Sequence, residues 1–341
     1  MLLSFVLVRL PEKVINLSRI HIKEEDTLDT IAYIGVDVGK AELVVYSEQL
    51  TMLNRTYKNC DDDIRQMLET AQNYSIRIMV ICEGTGGYEE KLRLLCYFYK
   101  IPCQVVNGAR MRQFASSCGQ MAKTDKLDSK IIHEYGKVFQ LYENYRELSL
   151  NPDLEHLYQR YQQLVKLRAM EKNHYENLHD SIIQNSILEH IDDLSQQIKQ
   201  CLVAIKGVIA SDSVLQHNYD YLCSIHGVGE ISAIAVLSDL PEIGQLSNKK
   251  ISAMVGLAPY EKESGQKTNG KHIRGGRFLL RKVLYMAALA SIRLDDEMKT
   301  FYHRLRAKGK PFKVAIVACM RKLVIAMNTV VKEQRLWLNQ T

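Results

Sequence analysis

The stretch AYIGVDVG, residues 32–39, shows the alternation of apolar and other side chains that is typical of a half-buried β-strand. The apolar residues of one face are Ile34, Val36 and Val38. Asp37 lies on the opposite face. Two further strand-like stretches follow closely, AELVVYS at 41–47 and TMLNRTYKN at 51–59. This spacing predicts three antiparallel strands in a meander.

Helices and strands alternate after this meander. The pattern predicts a helix at 60–74, a buried strand at 77–82, a helix at 88–100, a short strand at 102–106 and a helix after Lys123. The order βββαβαβα is that of an α/β ribonuclease-H-like (RuvC-like) domain.

Residues 153–206 contain no Gly or Pro and carry apolar residues at steps of three and four. This pattern predicts two long helices that form an antiparallel coiled-coil hairpin, with its turn near 173–185. The hairpin is interpreted as an assembly or spacer arm, and an ordinary helical bundle is the alternative.

The stretch LCSIHGVGEISAIAVLSDL at 222–240 resembles a helix-hairpin-helix element, in which Gly227 and Gly229 let backbone N–H groups approach a phosphate. A simple turn between two helices is the alternative. A basic loop at 261–277 and two apolar helices near 278–293 and 312–333 complete a mainly α-helical domain.

Four segments are therefore expected. They are an N-terminal extension at 1–30, a metal-binding α/β domain at 31–147, a coiled-coil hairpin at 148–212 and a mainly helical domain at 213–341.

The 341 residues are 46% hydrophobic and 25% charged, a globular composition that excludes a mostly disordered or fibrous chain. The net charge of +6 is unevenly distributed. Residues 241–341 hold 20 Lys and Arg against 7 Asp and Glu, a net charge of +13, whereas residues 1–240 carry −7. The basic C-terminal third suits a polyanionic partner, although charge alone equally allows a merely solvated surface.

The sequence gives no sign of a membrane or secreted protein. No apolar run approaches the ~18–20 residues of a membrane span, and residues 2–8 lack the basic leader and cleavage site of a signal peptide. The eight cysteines form no C-x-x-C pair. We therefore expect a cytoplasmic protein with no membrane partner.

Four carboxylates fall where such a fold brings strand and helix ends together: Asp37, Glu83, Asp125 and Asp128. Asp37 and Glu83 belong to strands that are neighbours in a ribonuclease-H-like sheet. Asp125 and Asp128 share one face at a helix start. Hard oxygen ligands in this number suit Mg²⁺ or Mn²⁺. For any one residue, a structural role such as helix capping is the simpler interpretation.

Ser264 lies in the basic loop beside Gly265. The cations around it are Lys262, Lys267, Lys271, Arg274, Arg277 and Arg281. An exposed hydroxyl among cations can attack phosphorus while the cations stabilise the transition state. A serine that only contacts phosphate is the alternative, and chemistry alone favours it.

The motifs GVDVGK, CEGTGGYEE and KTDKLDSK resemble the amino-terminal DEDD domain of the insertion-sequence one-ten family of transposases, relatives of the Piv DNA invertases. The motifs HGVGEISAIAVLSDL, SAMVGLAP and ESGQKTNGKHIRGGRFLLRKVLYMAA resemble that family's carboxy-terminal transposase domain. The resemblance covers most of residues 31–330. Gly39 and Ser129 depart from it, since serine and alanine are common there in the family.

The resemblance implies a DNA transposase or recombinase in which Asp37, Glu83, Asp125 and Asp128 bind metal and Ser264 is the nucleophile. It also implies a phosphoserine intermediate and composite active sites in a homo-oligomer, a dimer to tetramer. The implied partners are donor and target DNA and a structured guide RNA, the bridge RNA. The protein would be prokaryotic, cytoplasmic and nucleoid-associated when bound.

Three other functions remain open at this point. GVDVGK also resembles the first phosphate loop of actin-like sugar kinases and ATPases, but a second such loop is missing from the sequence. A metal-dependent Holliday junction resolvase without a covalent intermediate would use the same carboxylates. A non-catalytic helix-hairpin-helix protein would use only the basic third.

Overall fold

The computed structural model describes residues 30–74, 76–119, 125–145, 151–177, 180–264 and 267–337, with the backbone alone at 125–127, 144, 261–264 and 267–271. The expected N-terminal extension lies outside the described residues except for Thr30. The chain divides into two compact units, which we call unit 1 (Met1–Glu147) and unit 2 (Leu148–Thr341).

Unit 1 contains a five-stranded mixed sheet. Its strands are β1 (Ile31–Val38), β2 (Glu42–Tyr46), β3 (Thr56–Lys58), β4 (Arg77–Glu83) and β5 (Cys103–Val106). The spatial order is β3-β2-β1-β4-β5. Strands β1, β2 and β3 pair antiparallel, whereas β4 runs parallel to both β1 and β5. The predicted meander is present, although its third strand, expected over 51–59, is only Thr56–Lys58, because Thr51–Leu53 forms a short 3₁₀-helix. Strands β1 and β4 are neighbours as expected.

Helices cover both faces of this sheet. They are α1 (Asp61–Gln72), α2 (Glu90–Phe98), α3 (Gly108–Ser117), α4 (Asp125–Val138) and the short α5 (Leu141–Asn144). The even-numbered apolar residues of β1 pack with α1 and α2. Tyr33 of the other face packs with α3 and α4. Helix α3 was not predicted, because only Met111 among its residues is fully buried.

Helix α4 lies directly against β1, because Gly35 has no side chain. A Cβ atom at position 35 would lie 2.2 Å from the carbonyl oxygen of Ser129 and 2.5 Å from the backbone nitrogen of His133. Gly136 allows the same close approach from the helix, since a Cβ there would lie 2.0 Å from Cδ1 of Ile81. Glycine at these positions therefore determines how closely α4 approaches the sheet.

Unit 2 is mainly helical. Its elements are α6 (Pro152–Glu176), α7 (Ser181–Ser211), α8 (Ser213–Cys223), α9 (Glu230–Asp239), α10 (Asn248–Val255), β6 (Pro259–Ser264), β7 (Lys267–Ile273), α11 (Phe278–Leu294), α12 (Asp296–Ala307) and α13 (Phe312–Glu333). One apolar core joins the helices of this unit.

Helices α6 and α7 are the two long helices that the sequence predicts, and they pack antiparallel. Arg160 of α6 contacts Gln197 at 3.4 Å, whereas Glu171, further along α6, contacts His190 at 3.1 Å. Both helices contribute to the common core of unit 2 at their far ends from the turn, through residues such as Leu154 and Ile205.

The prediction of a loop at 261–277 is wrong over most of that range, because the chain forms a β-hairpin there. Strands β6 and β7 pair antiparallel from Pro259↔Ile273 to Ser264↔Lys267. The described apolar side chains at its base, Tyr260 and Ile273, are exposed. Residues 261–271 include no apolar side chain, so this segment lacks the apolar alternation by which strands are predicted.

Among the described helices, α13 alone has the length and composition of a membrane span, with a mean hydropathy of 1.8 in its most apolar window. That window is 61% buried inside unit 2. Its buried residues, among them Leu323, Met327 and Val330, belong to the common core. This is the environment of a core helix.

We expect Gly35→Ala to lower the free energy of unfolding of unit 1 by about 3 kcal/mol, since the added methyl group meets backbone that cannot rotate away. Urea denaturation followed by circular dichroism measures this change. The matched control is Gly207→Ala in α7, where nothing lies within 4 Å of an added Cβ; it should be neutral or stabilising by up to ~1 kcal/mol. An unchanged urea midpoint for Gly35→Ala would contradict the close packing of α4.

Candidate active site

Three of the four predicted metal ligands line one cleft in unit 1. The cleft has a volume of about 470 Å³, and its lining includes Asp37, Glu83 and Asp128. We call it the acidic cleft. All three side chains are half-buried, so they are held by the fold and still face solvent.

Strand register explains why Asp37 and Glu83 line the same cleft. Strands β1 and β4 pair with a constant offset of 46 residues, up to Val36↔Cys82. The same offset separates Asp37 from Glu83, so these residues lie level with each other at the carboxyl ends of two neighbouring strands. Residues that are level on parallel strands share one face of the sheet. Here it is the face that α4 covers.

Helix α4 supplies the third carboxylate. Asp128 lies in its first turn, one residue before Ser129, whose carbonyl oxygen is close to Gly35. The contact at Gly35 therefore determines where Asp128 stands beside Asp37. Asp125 is the first residue of the same helix, but its side chain lies outside the part of the structure that is described.

Sequence reasoning missed two other residues of the acidic cleft. Glu42, the first residue of β2, adds another carboxylate, and Thr85 adds a hydroxyl. Glu42 sits at a strand start after a short turn, where a charged residue is ordinary. The carbonyl of Glu42 accepts a hydrogen bond from the backbone N–H of Gly39 at 2.8 Å, and this contact closes the turn between β1 and β2.

The side chain of Glu83 packs so closely on Gly108 that no side chain could be accommodated at position 108. A Cβ on Gly108 would be 2.4 Å from its Oε1 atom. The guanidinium of Arg112 is 3.9 Å from the same oxygen. Thus α3 begins next to Glu83 and contributes a positive charge to this end of the cleft.

The loop that follows Glu83 is organised by Glu89. Its Oε2 atom accepts hydrogen bonds from the hydroxyl of Thr85 at 2.6 Å, from the N–H of Thr85 at 3.1 Å and from the N–H of Gly87 at 2.9 Å. Burial acts to raise the pKa of Glu89, but these hydrogen bonds outweigh it and lower the pKa below its ordinary value. An ionised Glu89 therefore holds Thr85 at the edge of the cleft.

The donor set of the acidic cleft fits Mg²⁺ or Mn²⁺. Its described carboxylates, Asp37, Glu42, Glu83 and Asp128, offer only oxygen atoms, and none of the other described residues that line it carries a nitrogen or sulfur side chain. Hard divalent cations prefer such ligands. Carboxylates that share one cleft favour a bound cation, because like charges repel one another.

In unit 2, Ser264 is the last residue of β6 and pairs with Lys267 across the hairpin. Lys262 lies on the same strand and Lys271 on β7. Of these four residues the structure describes the backbone alone. Arg274 is exposed just beyond β7. The hairpin thus brings the predicted serine and several predicted cations into one small element.

The other two predicted cations contact protein groups. Arg277 forms a two-point ion pair with Glu242, with Nη1–Oε2 at 2.6 Å and Nη2–Oε1 at 2.7 Å, and Glu242 is 8% exposed. Arg281 donates to the carbonyl oxygens of Val255 and Gly275. Both side chains therefore fasten the base of the hairpin to the helical core.

The positive charge of Arg277 also acts on a buried acid. Burial raises the pKa of Asp239 to about 6, although nearby Arg277 acts to lower it. The guanidinium of Arg277 thus stabilises the ionised forms of two acidic side chains of unit 2, Glu242 and Asp239.

The two glycines of the helix-hairpin-helix candidate differ in environment. Gly227 has a positive φ of 90°, and a Cβ there would lie 2.3 Å from the backbone nitrogen of Ser291 in α11. Gly229 caps α9, and nothing lies within 4 Å of its Cβ position. Packing on α11 therefore accounts for Gly227, whereas the amino end of α9 at Gly229 is open to an approaching group.

Two family models match the chain. One, described as a transposase of the DEDD IS110 type, matches residues 34–183, and the other, described as the transposase IS116/IS110/IS902 family, matches residues 219–303. The first range contains all four predicted metal ligands, and the second contains Ser264. The matches therefore extend over both units.

Two relatives are similar over most of the chain, and a third is similar over one third of it. The pilin gene-inverting protein of Moraxella bovis is 27% identical over 316 residues, which are 89% of this chain and 96% of that protein. That of Moraxella lacunata is 26% identical over 320 residues, with the same coverage. The insertion element IS110 uncharacterized 43.6 kDa protein of Streptomyces coelicolor is 28% identical over 114 residues, 33% of this chain and 28% of that protein.

We expect Arg277→Gln to destabilise unit 2 by about 2 kcal/mol, because it leaves the buried carboxylate of Glu242 without a counter-charge. Urea denaturation measures this loss. The double variant Arg277→Met, Glu242→Met removes both charges and should recover most of the stability. Unchanged stability of Arg277→Gln together with weaker DNA binding would instead make Arg277 a phosphate contact.

Proposed function

Because the chain belongs to the IS110 (insertion-sequence one-ten) family of transposases, we propose that it cuts and rejoins DNA strands through a phosphoserine intermediate on Ser264. A divalent metal ion in the acidic cleft would assist. Membership of the family makes the protein a DNA transposase or recombinase enzyme. The nucleophile, the metal and the nucleic-acid contacts are our proposal.

One observation carries the proposal. Asp37, Glu83 and Asp128, which are far apart in sequence, line the same cleft at one edge of the sheet. The strand order and directions of unit 1 are those expected of a ribonuclease-H-like, RuvC-like domain, and we propose that fold for it. Asp125, at the start of the helix that carries Asp128, would complete the set of ligands.

The metal requirement follows from this donor set. Mg²⁺ or Mn²⁺ bound there would place positive charge beside the DNA phosphates and stabilise the negative charge of the transition state. Asp37 and Glu83 would hold it from the sheet and Asp128 from α4. The all-oxygen character of these ligands favours these two ions over zinc.

Ser264 would carry the covalent step. Its Oγ attacks the phosphorus of the scissile phosphodiester, the phosphorus–oxygen bond to one deoxyribose breaks, and the serine proton ends on the released hydroxyl. A phosphodiester between serine and DNA replaces the phosphodiester between two nucleotides, so the bond energy is retained. Attack by a hydroxyl of another strand then reverses the step and joins that strand.

The basic third of the chain supports binding to donor and target DNA and to a structured guide RNA. Residues 241–341 carry a net charge of +13, and such surfaces bind phosphate backbones. We propose Lys262, Lys267, Lys271, Arg274 and the open amino end of α9 at Gly229 as the principal contacts. Gly227, Arg277 and Arg281 would support this surface through the packing described above. Base pairing with the bridge RNA would then select the sequence.

The oligomer follows from the chemistry. Exchange between two duplexes cuts four strands, and each cut consumes one serine, so we propose assembly from dimers to a tetramer. The same reaction between two sites of one DNA molecule inverts the segment between them. Inversion is the activity for which the Moraxella relatives are named.

The alternatives make different demands on the chain. Family membership removes the sugar kinase or ATPase interpretation. A junction resolvase without a covalent intermediate would need the acidic cleft but not Ser264. A protein that only binds nucleic acid would need neither.

We expect Asp128→Asn to abolish most of the stabilisation of unit 1 by Mg²⁺, because it removes one of the charges that hold the ion. Thermal unfolding with and without 10 mM Mg²⁺ measures this gain, and strand cleavage should fall in parallel. Asp192→Asn, on the exposed face of α7, is the control and should behave as the unmodified chain. A full Mg²⁺ response in Asp128→Asn would remove Asp128 from the metal site.

We expect Ser264→Ala to lower the rate of strand exchange by at least about 1,000-fold, because the variant lacks the nucleophile. Its nucleic-acid affinity should change little, because the cations remain. Thr268→Ala, one position away across the same hairpin, also loses a hydroxyl and should retain activity. Recombination is measured with paired DNA sites and gel analysis. Strand cleavage that persists in Ser264→Ala would favour the resolvase mechanism.

A further inference from the structure

Unit 1 holds a second group of candidate ligand atoms, none of which lines the acidic cleft. Glu48 follows the end of β2, while His133 and Glu134 lie on α4. One atom from each of the three residues lies within 4.8 Å of the others. Carboxylates that gather at a surface are common, so the histidine decides whether this group can act as a site.

His133 is fully buried, and its orientation is fixed. Its Nδ1 lies 2.8 Å from the carbonyl oxygen of Tyr33, and since a carbonyl only accepts, Nδ1 carries the hydrogen. Tyr46 contacts the ring edge-on at 5.3 Å. The free ring position, Nε2, is therefore aimed at Glu48, whose Oε2 is 3.6 Å away.

Nε2 of His133 has no hydrogen-bond partner among the described residues, although it is completely buried. A buried polar atom without a partner costs about 1–3 kcal/mol. The 3.6 Å between Nε2 and Oε2 of Glu48 is too long for a hydrogen bond. A metal ion between the two atoms would bind both and give the buried nitrogen a partner.

Lys137 is the cation that lies between these carboxylates in the structure. Its Nζ is 2.6 Å from Oε2 of Glu48 and 3.7 Å from Oε1 of Glu134. The hydrogen bond from Lys137 lowers the pKa of Glu48 below its ordinary value. The ammonium group satisfies the carboxylates but leaves Nε2 of His133 without a partner.

We propose that Glu48, His133 and Glu134 form a Zn²⁺ site that fills when Lys137 swings away. Imidazole nitrogen and carboxylate oxygen both bind zinc, with bonds of about 2.0–2.2 Å. The three ligand atoms, which lie within 4.8 Å of one another, would have to move closer together to bind one ion. Mg²⁺ prefers oxygen alone. The imidazole therefore distinguishes this site from the acidic cleft.

The site would act on the position of α4. Zn²⁺ would join the end of β2 to the helix, and His133 lies five residues after Asp128 on that helix. The consequence for Asp128 rests on the proposed function, whereas zinc binding itself does not. A chain that exchanges strands but binds no zinc here would contradict this inference alone.

Zinc affinity tests the site directly. The background is the full chain with Asp37→Asn, Glu83→Gln and Asp128→Asn, so that the acidic cleft does not compete, and Zn²⁺ is titrated against a chromophoric chelator. Adding Glu134→Gln should weaken zinc binding by about tenfold or more. Adding Lys137→Met should strengthen it about threefold or more, because the competing cation is gone. Glu176→Gln, on the exposed end of α6, should change nothing.

The surface variants decide the outcome, because His133→Gln alters a buried residue and requires a check of folding by circular dichroism. Zinc affinity that is the same in Glu134→Gln and Glu176→Gln would overturn the proposal. So would a Lys137→Met variant that binds no more tightly than its parent. If His133→Gln is folded, it should lose zinc binding as Glu134→Gln does, and retained binding would equally overturn the site.

Discussion

The contact between α4 and β1 at Gly35 is the constraint on which the acidic cleft depends. The two backbones approach so closely that even a methyl group has no room, with only 2.2 Å from a Cβ position to the carbonyl of Ser129. This contact places Asp128 beside strands that already bring Asp37 and Glu83 level. The same helix carries His133 and Glu134, so both candidate metal sites of unit 1 depend on one packing contact. Charge repulsion within the cleft opposes this arrangement, and the apolar packing of Ile131 and Ile132 holds it.

The cations predicted around Ser264 in unit 2 have two different roles. Arg277 and Arg281 hold the base of the hairpin through Glu242 and backbone carbonyls. The hairpin beyond them carries Ser264 with further lysines and buries no described apolar face. An element that is fastened at its base and has only polar residues and glycine over 261–271 suits a nucleophile that must approach a phosphate backbone. Of the cations predicted around Ser264, only Lys262, Lys267, Lys271 and Arg274 are proposed to contact nucleic acid directly.

Much of unit 1 could be predicted from the sequence, because β1 buries Ile34, Val36 and Val38 on one face and so shows alternation. The two long helices of unit 2 could also be predicted, because their apolar residues recur at steps of three and four. The β-hairpin could not, since its residues 261–271 include no apolar side chain, and the sequence pattern also does not predict α3, α10 and α12. For the site, residue type and spacing indicated Asp37, Glu83 and Asp128. The partners of Arg277, the place of Glu42 in the cleft and the unpartnered Nε2 of His133 depend on contacts between distant segments, which a single sequence does not reveal.

We propose that a serine in the hairpin of unit 2 becomes covalently joined to DNA during strand exchange. Trapping the reaction on a DNA substrate that prevents rejoining, followed by protease digestion and mass spectrometry of the DNA-linked peptide, tests it most directly. We expect a phosphodiester-linked nucleotide on Ser264 in the presence of Mg²⁺. Cleaved DNA without a protein adduct, or an adduct on another residue, would contradict it.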